Sequence, residues 1–327
     1  MQPRRASILF GSLTLFCLIA LFLSLTVGSV DLSASQVWRS LFASDGSMEA
    51  QVLQELRVPR TVAAFITGGL LAMAGVIMQV LLRNPLADPY ILGVSGGAAV
   101  AALGTMLLGL SGYWVSPAAF LGAIFSIVLV FVIAGSGRAW SVSRLLLTGV
   151  VVSAGWGAVI NIMLTTTANN SVQSMLFWLM GDLSQSRLTM WHSLPLILGL
   201  GIGMWMARSL NVLSRGEMVA AALGVEVRTT RNLLYIIASL LTASAVTIAG
   251  SIGFVGLIVP HMLRLLGARD HRLLIPASLL LGGGVLVLAD TVARTIIAPQ
   301  QLPAGVITAI IGVPAFLVIL RNSSRTS

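Results

Sequence analysis

Residues 61–82 read TVAAFITGGLLAMAGVIMQVLL, 22 positions without a charged side chain. Apolar residues occupy every face of a helix drawn through them, so no stripe is left for water. At 1.5 Å per residue the run is about 33 Å long, and a bilayer's hydrocarbon core is roughly 30 Å thick. A barrel strand needs polar and apolar residues in alternation. This run has none, and a lone span must satisfy its backbone internally, so it reads as a transmembrane helix.

The rest of the chain has the same texture. Of 327 residues, 57% are hydrophobic and 9% charged, where a soluble domain carries roughly 25% charged residues. Mean hydropathy is +0.98. Ten apolar runs emerge, at about 7–29, 60–82, 92–110, 117–137, 145–167, 190–207, 232–251, 256–267, 273–297 and 305–321. The eighth is short and contains Pro260, and residues 172–180 are too short to span. Arg4 and Arg5 precede a run from Ile8 to about Val27. That run exceeds the ~7–15 residues of a signal-peptide core, so a retained first span is expected.

All 19 basic residues are arginine, and the formal net charge is +9. Without lysine no Walker A loop can form on this chain. The excess reads as cytoplasmic arginine rather than a nucleic-acid surface, and no nucleic-acid partner is expected. With the N-terminus in the cytoplasm, ten crossings place 14 arginines inside and 5 outside, with both termini cytoplasmic. Cys17 is the only cysteine, which leaves no disulfide within the chain and no cysteine metal cluster. The three histidines lie apart in this topology, so no metal site is expected. Many of the 33 glycines, among them Gly68, Gly75, Gly97 and Gly282, fall inside spans, where small residues let helices approach closely.

Between the sixth and seventh runs lies LSRGEMVAAALGVEVRTTR, 213–231. Read as helix, Met218, Ala221, Ala222 and Val225 share one side; Gly216 can start it and Gly224 can end it. It rests on lipid, is a solvated loop, or docks a cytoplasmic protein. Lipid-surface helices favour Trp, Phe and Leu anchors, and this one offers mainly Ala, Met and Val.

The order Glu217, Ala220, Ala221, Gly224 resembles the EAA-x-x-x-G loop of ATP-binding-cassette importer permeases, with Met218 and Val219 departing from the strict pattern. Five further segments resemble one branch of them, the FecCD-type iron-chelate and vitamin B12 permeases. They are RVPRTVAAFITGGLLAMAGVIMQVLLRNPLADPYILGVSGGA (57–98), SVSRLLLTGV (141–150), GSIGFVGLIVPHMLRLLGARDHRLLIPAS (250–278), ADTVAR (289–294) and LPAGVITAIIGVPAFLVIL (302–320). The resemblance implies an all-α membrane protein of the inner membrane, a compact bundle of about ten transmembrane helices with short cytoplasmic coupling helices. It forms one permease domain over 1–327, with a coupling loop at 208–231.

The implied assembly has a second permease copy, a cytoplasmic ABC ATPase dimer that holds ATP and Mg, and a soluble substrate-binding protein. Membrane lipid surrounds it, and this chain carries no cofactor or catalytic residue of its own. The implied cargo is an iron–siderophore complex, haem or vitamin B12. Arg215, Gly216, Glu217, Ala220, Ala221 and Gly224 would couple to the ATPase. Arg57, Arg60 and Arg294 would meet acidic residues of the binding protein; the alternative for Arg57 and Arg60 is that they snorkel to lipid headgroups. For Arg294 an equal reading is a pair with Asp290, four residues earlier. Asn84 and Pro85, with Ser141 and Ser143, would line a cytoplasmic gate. Asn161 and Thr165 give the fifth run a polar outer half, either lining the path or bonding another helix.

Two rival classes have weaker support. GVSGG at 93–97 matches G-x-S-x-G, the elbow of a serine hydrolase, but without a strand before it or an assigned base. An ion-coupled secondary transporter would need midplane carboxylates, and Asp290 is the only acidic residue well inside a run.

Overall fold

The computed structural model describes residues 3–28, 32–42, 47–110, 112–135, 142–167, 169–184 and 190–323. These are helical, with no strand among the described residues. The chain opens with α1 (Pro3–Thr26), α2 (Ala34–Phe42) and α3 (Met48–Gln51). A π-helical stretch, Val52–Arg57, runs straight into α4 (Val58–Leu81). After the 3-10 turn Pro89–Leu92 come α5 (Val94–Leu107), α6 (Val115–Gly135), α7 (Val142–Thr166) and α8 (Asn169–Leu179). The chain ends with α9 (Leu194–Leu213), α10 (Glu217–Ala222), α11 (Val227–Ala249), α12 (Val255–Leu265), α13 (His271–Thr295) and α14 (Ala304–Ser323).

Each of the ten apolar runs coincides with a helix. Seven are long and apolar enough to cross a membrane by length and composition, and three shorter apolar helices, α5, α12 and most of α14, complete the set. Residues 172–180 fall in and just beyond α8.

The helix built on 61–82 is the axis of the bundle. In the best 18-residue window of Met48–Leu81, 89% of residues are buried, against 11% in the α7 window and 22% in α1. α4 packs against α13, α11, α12 and α9, α1 lies on α13, and α5 pairs with α6. Glycine makes these approaches possible. A methyl group on Gly68 would overlap the Gly282 carbonyl of α13, and one on Gly75 would overlap the Gly256 carbonyl of α12. Lipid tails are as apolar as leucine, so close backbone packing, rather than flight from water, holds such helices together.

Within 213–231 a short helix lies between Gly216 and Gly224, the two glycines read as its start and end, and the stretch is not one unbroken helix. α9 ends at Leu213, Gly216 turns the chain at φ 120°, α10 runs for six residues, and Gly224 at φ 80° turns it again before α11. Both dihedrals lie where glycine alone is at ease. The eighth run is not a full span either. α12 has 11 residues, about 16 Å, and its first turn meets Gly75, in the C-terminal half of α4. The segment before it therefore enters the bundle as non-helical backbone. Such backbone is tolerated at membrane depth only inside protein. Here the Ile252 amide donates to the Tyr90 hydroxyl at 3.1 Å.

Candidate functional site

The polar side chains gather at the two ends of α4. At one end stands α10. Ala220 is buried and faces the bundle, while Met218 (89% exposed), Val219 and Leu223 (64%) point away from it. Ala221, Ala222 and Gly224 are exposed beside them, and so is Arg215; Gly216 is half-buried. The Val225 amide donates to the Ala220 carbonyl at 2.9 Å and the Gly224 amide to Ala221 at 3.0 Å, closing the helix C-terminus. The result is a small apolar knob on a fixed base.

Glu217 fixes that base. Its Oε1 accepts from Arg231 Nη1 at 3.0 Å and lies 2.8 Å from Arg83 Nη2. Arg231 is the fifth residue of α11; Arg83 comes just after the end of α4, at φ 47°. Next to Arg83 the expected Asn84–Pro85 turn is exposed. Asn84 Oδ1 accepts from the Leu86 amide at 2.9 Å, and Asp88 Oδ1 caps the adjoining 3-10 turn through the Tyr90 amide at 2.8 Å. Burial pushes the Asp88 carboxyl above its usual range, partly offset by that amide, and raises the Tyr90 phenol as well. Ser143 is exposed at the start of α7, and Ser141 lies outside the described residues.

The same end carries contacts that no sequence signal indicated. Gln79 donates to the Leu257 carbonyl at 3.1 Å and accepts from Arg264. Asn211 donates to Asp270 at 2.7 Å and accepts from the His271 amide at 2.9 Å, joining α9 to the N-cap of α13. The Asn211 amide holds the Asp270 carboxyl below its usual range; burial opposes it, and the Arg272 amide and charge add to the lowering.

At the other end the three arginines expected to face a soluble partner are turned inward, at 4% (Arg57), 9% (Arg60) and 7% (Arg294) exposure. Arg57 caps α1 by donating to the Leu25 and Thr26 carbonyls at 2.8 and 3.0 Å. Arg60 Nε donates to both oxygens of Asp290 at 3.0 and 2.9 Å, its Nη2 adds a third contact at 2.9 Å, and its Nη1 reaches Gln301 at 2.6 Å. Arg294 lies 3.9 Å from Asp290 and donates to the Ser24 carbonyl and, at 2.8 Å, to the Ser24 hydroxyl. So the Asp290 pairing weighed for Arg294 is present, with Arg60 as the nearer partner. The physical reason is competition: a carboxylate and helix-end carbonyls within the fold offer these cations charged or dipolar partners where water is scarce.

The rivals fit poorly. Ser95 lies in the first turn of α5 rather than at a strand–helix elbow, and Gly97 packs on Gly122 and Ser126. Gly93 is a left-handed cap at φ 74°, and its carbonyl accepts from the Ser126 hydroxyl of α6 at 2.8 Å. Asp290 is committed to two arginines, which leaves no free carboxylate there for a coupling ion. On α7, Asn161 is exposed, and Thr165 is exposed with its hydroxyl returned to the Asn161 carbonyl at 2.9 Å.

Comparison with known proteins agrees with this geometry. The FecCD transport family matches residues 16–322. The chain is 44% identical over 277 residues to the cobalamin import system permease protein BtuC of Halobacterium salinarum, covering 83% of this chain and 73% of that one. It is 36% identical over 341 residues to the hemin transport system permease protein HmuU of Yersinia pestis, covering 100% and 98%. A solved inward-facing conformation of a metal-chelate type ABC transporter superposes with a TM-score of 0.84 at 33% identity, covering 97% of this chain and 99% of that one.

Proposed function

Because the chain belongs to the FecCD transport family, we propose that it is the membrane subunit of an importer that carries a metal chelate into the cytoplasm, driven by ATP hydrolysed on separate ATPase subunits. The observation that carries the proposal is the α10 knob. Met218, Val219 and Leu223 are apolar and exposed, and they sit on a helix clamped by Glu217 to two other elements. A loop facing water has no use for such a surface; a groove on a partner protein does. In the inner membrane this end faces the cytoplasm with both termini, a sidedness that the arginine balance supports.

A second copy of the chain packs along α7. The α7 window is only 11% buried, and its exposed Asn161 and Thr165 would be costly against lipid. Between two copies they line a path with little fixed charge, suited to a bulky chelate. The Asn84–Pro85 turn and the start of α7, with Ser141 and Ser143, close its cytoplasmic end. A soluble binding protein delivers cargo at the opposite end, where the inward-turned Arg57, Arg60 and Arg294 set the shape of the docking surface. Haem and cobalamin lead the cargo candidates, since relatives carry those names; a ferric siderophore is the third.

The test is reconstitution in proteoliposomes with the ATPase and binding protein, using labelled haem, cyanocobalamin and a ferric siderophore. Uptake should require ATP and both partners. Leu223→Glu, 64% exposed in the wild type, should leave the chain folded and abolish ATPase association. Cargo movement by this chain alone, or unchanged association of the variant, refutes the proposal.

A further inference from the structure

We infer that Arg83 is the joint through which the coupling helix moves the 84–92 segment, a positioning role that rests on the ATPase-coupling reading of α10. Three observations converge on it. The first is conformational. Arg83 has φ 47°, a left-handed value that glycine or asparagine adopts more readily than an arginine. Arg83 follows the cap of α4, where its amide returns to the Val80 carbonyl and the Asn84 amide to the Gln79 carbonyl, both at 3.2 Å, so helix termination sets this backbone; glycine is the usual residue there, and what an arginine adds is its side chain.

The second is what that side chain does. Its guanidinium lies 2.8 Å from Glu217 Oε1, with the two side chains 44% and 37% exposed. An ion pair this open adds little to stability. The fold does not depend on it, because Glu217 also holds Arg231, whose side chain is 10% exposed. Arg83 is thus a second tie from the knob, and it runs to a different element.

The third is the stiffness of residues 84–92. The Asn84 amide donates to Gln79 at 3.2 Å and the Ala87 amide to Asn84 at 3.0 Å. The Asn84 and Asp88 side chains cap the Leu86 and Tyr90 amides in turn. Tyr90 accepts the Ile252 amide just ahead of α12. A methyl group on Gly149 would strike the Ile91 carbonyl and Leu92, so the far end of the segment lies directly on α7. Residues 84–92 therefore form a short, internally bonded lever. Arg83 ties its near end to α10, and its far end presses on the helix that carries Asn161. Displacement of α10 is passed to α7 by rigid contact, without a change of secondary structure.

The experiment is hydrogen exchange on the purified complex with its ATPase and binding protein, with and without a non-hydrolysable ATP analogue, combined with uptake per ATP in proteoliposomes. In the wild type nucleotide should alter exchange in both 217–224 and 84–92. In Arg83→Gly, which also relieves the backbone, the response of 217–224 should persist while that of 84–92 is lost. Uptake per ATP should fall by about fivefold or more, the lower end of allosteric coupling. Arg83→Lys, which keeps the charge, should restore part of both. A response of 84–92 in Arg83→Gly equal to the wild type overturns the inference. A wild-type complex in which 217–224 ignores nucleotide overturns the coupling reading beneath it.

Discussion

Asp290 should be the most sensitive single position in the bundle. It is 1% exposed and accepts three contacts from Arg60 between 2.9 and 3.0 Å, with Arg294 at 3.9 Å. At an effective dielectric near 20 these separations give ~6 kcal/mol for Arg60 and ~4 kcal/mol for Arg294 of gross attraction. Desolvation of the ions offsets most of that. Asp290→Ala removes the attraction and leaves the desolvation in place, with Arg57 also close by on α4's N-terminal side. The expected loss is about 3–5 kcal/mol. Asp290→Asn, which keeps an acceptor for Arg60, should lose less. The double variant Arg60→Met with Asp290→Leu should recover much of the stability, since apolar replacement of a buried pair is often neutral or better. Thermal unfolding of the detergent-solubilised chain, read by tryptophan fluorescence, orders the variants. If Asp290→Ala lies within about 1 kcal/mol of the wild type, these charges do not hold the N-terminal end of α4 and the C-terminal end of α13 together and the reasoning fails.

Other outcomes turn on single contacts. Gly75→Val should cost ~3 kcal/mol or more through overlap with the Gly256 carbonyl. Gly104→Ala, whose nearest neighbour would be Met163 Cε at 3.7 Å, should raise stability by about 0.5–1 kcal/mol in the same thermal assay. Tyr90→Phe strands the Ile252 amide inside the bundle and should cost about 1–3 kcal/mol, with faster exchange of that amide. Asp270 has a depressed pKa, ordinarily 3.8, so its contribution is present above that value and is lost as pH falls through the lower folded one. Asp270→Asn should therefore flatten the acid limb of a stability profile taken below about pH 4.

The place of 61–82 at the centre was not legible in its own residues. Every one of the ten runs is apolar, and hydropathy cannot rank them by depth. Glycine contacts decide it: Gly68 and Gly75 let α13 and α12 reach the α4 backbone, and a glycine reads the same in sequence whether it meets a carbonyl or empty space, as Gly155 does. The knob at 217–224 was legible in outline because its turns need residues that tolerate positive φ, and Gly216 and Gly224 supply them. Its clamp was not, since Arg83 and Glu217 lie far apart in the chain and only the return of α9 beside α4 brings them within 2.8 Å.

By itself the sequence determined the solvent of this protein, the number of apolar runs and the family, because hydropathy and local motifs are properties of contiguous residues. Only the tertiary structure decided which partners the arginines meet within the chain. Arg57, Arg60 and Arg294 stand at a bundle end in the sequence, where solvent and a partner protein are both available. In the fold, Asp290 and the closing carbonyls of α1 reach them first. A charge takes its role from the counter-charge and dielectric around it, and those come from segments as much as 270 residues away.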